Sequence, residues 1–162
     1  MRNAIWSNNN QVLRIYKRKS MTNPISFASP DNKFKAVLTY MGHTKNDQPY
    51  YSLSIDGLSH LFADRFFGEV CMWSPDSRIL VVQEWTQIDE DDLPNACLLL
   101  VIDLVSRREC VIANVEGHKG KILPESFIGD SLMYTVIYDG KFGMTKSFES
   151  RFQYLDGWQT LK

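Results

Sequence analysis

The tripeptide Ser-Pro-Asp occurs twice, at 29–31 within "FASPDNKFKAVLTY" (27–40) and at 74–76 within "MWSPDSRILVVQEW" (72–85). Proline presets φ near −65° for the first corner of a type I turn. Aspartate suits the second corner, where its carboxylate can cap free backbone amides. Each copy sits between two strand-like runs, so each predicts a tight reversal between antiparallel strands. The two serines, Ser29 and Ser74, are 45 residues apart (74 − 29). A chain punctuated in this way is committed to short paired strands.

The remaining segments agree. Strands are expected at "QVLRIYKR" (11–18), "FKAVLTYM" (34–41), "YYSLSI" (50–55), "EVCMW" (69–73) and "RILVVQEW" (78–85). Further strands are expected at "ACLLLVID" (96–103), "ECVIA" (109–113), "SLMYTVIY" (131–138) and "KSFESRFQYL" (146–155). They are β-branched and aromatic, and turn residues separate them at the short spacing of an antiparallel meander. A brief helix is an option only near Leu58–Phe67. The spacing is also periodic. Asp56 and Asp103, which end the later strands, are 47 residues apart (103 − 56). Two units therefore share one plan of strand, Ser-Pro-Asp turn, strand, loop, strand ending in Asp and short strand. A weaker third unit puts Gly129-Asp130-Ser131 where Pro75-Asp76-Ser77 stood, and Asp156 where Asp103 stood. The units span about 25–66, 67–115 and 122–158 of a single β domain covering 1–162.

The stretch "CMWSPDSRILVVQEW" followed by "ACLLLVIDLVSRRECVI" resembles a blade of the WD-repeat-like propellers whose hairpins read Trp/Phe-Ser-Pro-Asp. The resemblance covers residues 25–113 and implies four-stranded antiparallel units at a period of 40 to 50 residues. A closed propeller needs at least four blades of about 40 residues, and this chain is too short for that. The expected fold is all-β, an antiparallel meander of blade-like units forming a two-layer sandwich or a partial barrel. The strand at 11–18 is expected to pair with the last strand and protect an edge, its Lys17, Arg18 and Lys19 discouraging aggregation.

Composition excludes several classes. The net charge is −1, with 18 basic against 19 acidic residues, so no global field favours nucleic acid or an anionic membrane. The longest apolar run, "ACLLLVI" (96–102), is far short of the roughly 18 residues of a membrane helix. The first residues carry no apolar core of a signal peptide. Cys71, Cys97 and Cys110 form no CxxC pair and lie in apolar strands, as buried free thiols do. A soluble, cytoplasmic protein is expected.

The search for chemistry finds no catalytic kit. His43, His60 and His118 stand at no metal spacing, so neither a metal nor a cofactor is expected. "GHKGK" (117–121) lacks the spacing of a phosphate loop and reads as a turn. "YDGK" (138–141) reads as a two-residue hairpin. The sharpest charge feature is "QIDEDDLP" (87–94), where Asp89, Glu90, Asp91 and Asp92 put four carboxylates in a row between apolar strands. It fits a solvated hairpin tip, and it fits an acidic finger that enters a basic cleft on a partner. Trp85 at its base is either an interface anchor or a core residue.

These features point to a non-catalytic protein-binding module. In size and character it resembles the small bacterial immunity proteins that cover the active site of a cognate toxin. By that analogy Trp85, Asp89, Glu90, Asp91 and Asp92 meet a toxin domain with a basic cleft, such as a nuclease, with no nucleic acid or membrane bound. The alternative is a propeller-like scaffold domain that binds a peptide or subunit in a cellular complex.

Overall fold

The computed structural model describes residues 23–45, 47–88, 94–140 and 143–161. The strand expected at 11–18 lies outside them. The fold is all-β. An eight-stranded sheet has the order β1-β2-β3-β4-β5-β6-β7-β11, and a three-stranded sheet has the order β10-β9-β8, all pairs antiparallel. In the first, β1 is Ile25–Ala28, β2 Lys35–His43, β3 Pro49–Ile55, β4 Phe66–Trp73, β5 Ile79–Ile88, β6 Pro94–Asp103, β7 Arg108–Glu116 and β11 Gln159–Thr160. In the second, β8 is Lys121–Ile128, β9 Ser131–Ile137 and β10 Thr145–Arg151. Two short 3-10 helices, Ser59–Phe62 and Phe152–Tyr154, are the helical turns among the described residues. Neither sheet closes into a barrel.

Both Ser-Pro-Asp turns are built alike. In each, the serine carbonyl accepts the amide three residues on (Asn32 at 2.8 Å, Ser77 at 2.9 Å). The serine hydroxyl donates to the aspartate (Ser29 to Asp31 at 2.8 Å, Ser74 to Asp76 at 2.5 Å). It also accepts the amide five residues on (Phe34 at 3.0 Å, Ile79 at 2.9 Å). The aspartate caps the amide two residues on (Lys33 at 3.1 Å, Arg78 at 3.2 Å). Asn32 and Ser77 complete the turns in the left-handed region, at φ 59° and 64°. The expected capping role of the carboxylate is therefore present in both.

The third expected echo is different. Ile128 pairs with Ser131, so Gly129-Asp130 is a two-residue hairpin tip with Gly129 at φ +60°. A positive φ at that corner is what glycine supplies and proline cannot. Asp156, expected to end a strand as Asp103 does, instead lies exposed after the second 3-10 helix. Where the shared plan put a short strand in the first unit, the 3-10 helix Ser59–Phe62 stands instead, inside the Leu58–Phe67 stretch named for a brief helix, and its Phe62 is fully buried.

The larger sheet does not lie flat. A single register pair, Tyr51 with Phe67, joins β3 to β4. At this joint β1–β3 fold against β4–β7, and the two turns meet: the Asp31 amide donates to Ser77 Oγ at 2.9 Å. Nearby, the Trp73 indole donates to the Phe27 carbonyl at 3.1 Å, and Phe34 stacks on Trp73 at 6.2 Å. Leu38, Leu53, Ile55, Phe62, Phe67, Leu80, Val82, Leu100 and Ile102 form the core between these layers.

The opposite face of β5 and β6 carries a second core. Val81, Trp85, Cys97, Leu99 and Val101 pack there against Ile122, Leu132, Tyr134 and Val136 of the smaller sheet. Alternation sends adjacent residues of one strand to the two cores. This is why "ILVV" (79–82) and "CLLLVI" (97–102) are apolar at every position. The middle layer is buried on both faces.

Candidate functional site

The acidic run Asp89–Asp92 lies outside the described residues, but its ends are fixed. Ile88 pairs with Pro94, and two strands rise from there into the doubly buried layer. The pairing of Ala96 with Glu116 brings the turn at 117–120 to the same end. The connection after β9 arrives there too, because Lys121 pairs with Ile137 and the Lys119 amide donates to Asp139 Oδ2 at 3.2 Å. Tyr50, at the start of β3, packs edge-on to Phe66 at 5.5 Å, and Phe66 pairs with Trp85. One end of the molecule thus gathers the base of the acidic loop, exposed Glu116, His118, Lys119 and Asp139, and an aromatic group.

Asp139 also explains why the hairpin expected at "YDGK" is not formed. Its carboxylate is committed to the 117–120 turn, where it lies against Gly117 at φ +96°. The connection is longer, with Tyr138 N donating to Met144 O at 2.9 Å and Ile137 paired with Thr145.

Trp85 is 4% exposed, within the core shared by the two sheets. Its Nε1 is buried with no hydrogen-bond partner among the described residues. In the free chain it serves packing. The residues above it that keep partial exposure are Tyr50 and Phe66, which were not singled out as partner contacts. The signal for them was the alternation of Tyr50 with buried Tyr51 and of Phe66 with buried Phe67. That alternation says which residue is outermost only once the opposing layer is known.

Beneath this end, Gln83 reaches across the second core. Its side chain is buried, and Nε2 donates to the Ile122 carbonyl at 2.5 Å. A polar bridge between otherwise apolar faces fixes how one sheet sits on the other.

Two ion clusters lie elsewhere. Arg65 forks onto Glu84 at 2.7 and 2.6 Å, reaches Glu109 at 2.8 Å, and lies over the rings of Phe62 and Phe67. Asp103 is fully buried, accepting from Arg78 at 2.7 Å, Arg108 at 3.3 Å and the Ser106 amide at 3.0 Å. Burial alone would raise its carboxyl, but Arg78 and the Ser106 amide outweigh it and hold the group at about 2. Both clusters satisfy their charges internally, as supports of a fold do.

Cys71, Cys97 and Cys110 are free thiols. Burial pushes Cys97 up to about 12, which leaves negligible thiolate at neutral pH. Among the described residues no group of three His, Cys, Asp or Glu side chains is placed to hold a metal ion. Among them, too, no helix is long and apolar enough to cross a membrane. No protein-family model matches the sequence, and no curated protein or solved structure matches the chain.

Proposed function

We propose that the chain is a protein-binding module whose acidic end enters a basic cleft on a partner protein. The partner we infer is a toxin domain, a nuclease being the chemistry that fits, and the chain acts as its immunity protein. The observation that carries this reading is the place of Asp89, Glu90, Asp91 and Asp92 in the sequence, between two paired strands. They lie in sequence between Ile88 and Pro94, which pair at the end of two strands whose inner residues, Val81, Val82, Leu99 and Leu100, are buried. Four carboxylates in a row imitate a row of phosphates and suit a cleft built to bind a polyanion. Charge so arranged speeds encounter and selects partners. Exposed Glu116 and Asp139 add to it, and Tyr50 and Phe66 supply apolar contact beside it.

Co-purification from the native cell, with the captured partner assayed for toxicity, tests the assignment. A toxic activity inhibited at equimolar ratio supports it, and turnover of a substrate by the isolated chain overturns it. Reversing all four charges to lysine is expected to weaken the complex at least about tenfold and to flatten its dependence on salt. Unchanged affinity removes the loop from the interface.

A further inference from the structure

A sheet edge offers unpaired backbone groups to any second strand, and folded proteins protect such edges. Three of the edges here are protected. In β1 only four residues are present, and its Phe27 carbonyl is taken by Trp73. In β8 the register shifts at Pro124, and the Ile122 carbonyl is taken by Gln83. In β7 the first two residues are covered by β11, and its register is broken opposite Leu99/Leu100. The remaining edge, β10, has none of these devices. It pairs with β9 through seven consecutive residues without a shift, contains no proline, and is exposed at every position but Ser150.

The hydrogen bonds flanking this ladder tell which groups of β10 are open. Tyr138 N donates to Met144 O, and Phe152 N donates to Asp130 O. Bonded pairs alternate in an antiparallel ladder. Lys146, Phe148 and Ser150 therefore turn their amides and carbonyls toward β9. Thr145, Ser147, Glu149 and Arg151 turn theirs outward, and among the described residues no strand meets them.

We propose that the partner of this edge is β10 of a second copy of the chain, joined antiparallel about a two-fold axis through Phe148. The strand is self-complementary in that register. Outward-facing residues must meet outward-facing residues, which places Ser147 opposite Glu149 and Thr145 opposite Arg151 of the other copy. No two like charges stand directly opposite. Shifting by two residues in one direction would set Glu149 against itself. Phe148, the one large apolar residue of β10, is 36% exposed and already stacked on Tyr134 at 5.6 Å. On the axis it meets its own copy at a non-hydrogen-bonded position, where cross-strand side chains approach most closely. Met144 and Tyr154, 52% and 69% exposed, flank the seam. The two small sheets become one sheet of six strands. Such an interface is small, so a weak, reversible dimer is expected.

Sedimentation of the full chain over a roughly hundredfold range of concentration tests this, because a dimer forms by mass action. The wild type is expected to pass from monomer to dimer. Ser147→Pro removes one outward N–H and leaves the ladder to β9 intact, since proline is tolerated on an open edge. It is expected to weaken the dimer at least about tenfold, while Ser147→Ala, which loses the same hydroxyl, leaves it unchanged. Phe148→Glu sets two carboxylates against each other on the axis and is expected to abolish the dimer by a separate route. A chain that stays monomeric throughout overturns the proposal. So does a dimer that both Ser147→Pro and Phe148→Glu leave intact. Slow amide exchange at Thr145, Ser147, Glu149 and Arg151 in the monomer also overturns it, because another segment of the same chain would then occupy the edge.

Discussion

Gly68 and Gln83 are fitted to each other: a Cβ on Gly68 would collide with Gln83 Oε1 and lie 2.9 Å from its Cβ. The same glutamine carries the hydrogen bond to the Ile122 carbonyl of the opposing sheet. The bare backbone at Gly68, in the irregular stretch of β4 between Phe67 and Cys71, makes room for the bridge between layers.

Gly68→Ala is accordingly expected to lower stability by about 2 kcal/mol in chemical denaturation, through overpacking and loss of the bridge. In a Gln83→Ala background the same substitution is expected to cost less than half as much. Equal costs in both backgrounds would show that the two residues do not act through each other.

Asp103 gives a pH signature. Its carboxyl is held at about 2 in the folded chain against an ordinary value of 3.8. A depressed folded-state value means stability that is fully present above about pH 4 and lost as pH falls toward 2. Asp103→Asn is expected to cost about 2 kcal/mol at neutral pH, since Arg78 and Arg108 lose their counter-charge. The gap between wild type and variant is expected to narrow as pH is lowered through that window. Denaturation midpoints measured at several pH values check it, and a constant gap would refute the charged role.

Trp85 separates packing from hydrogen bonding. Its ring fills the second core while its buried N–H has no partner among the described residues. Trp85→Phe removes the donor and keeps most of the volume, so a cost below about 1.5 kcal/mol is expected. Trp85→Ala leaves a cavity and is expected to cost about 3–5 kcal/mol. A phenylalanine variant as unstable as the alanine variant would mean that the indole N–H is bonded after all.

Much of the strand order was legible because local chemistry decided it. The Ser-Pro-Asp turns carry their own hydrogen-bond ring, so their geometry follows from six residues. What the sequence concealed depends on contacts across layers. "KILPESFI" contains Pro124 and does not read as a strand, yet an edge with a register shift tolerates it. Gln159–Thr160 is too short to declare itself and pairs because a longer neighbour offers an edge. "YDGK" has the residues of a tight hairpin, but Asp139 is drawn to the 117–120 turn, and a tertiary bond overrides the local preference. Trp85 could be placed on neither side of the surface until the second sheet was seen to cover it. The acidic run was evident from composition, whereas Tyr50 and Phe66 beside it emerge only from the stacking of layers.

The doubly covered middle layer has a consequence for how the chain is made. Strands β1–β7 pair almost entirely with their neighbours in sequence, so they can assemble in the order in which a ribosome releases them. Val81, Leu99 and Val101, however, share their core with Ile122, Leu132, Tyr134 and Val136 of the later strands. A nascent chain halted before about residue 120 holds a finished meander with one face bare, and that pause is when the chain is most exposed to aggregation.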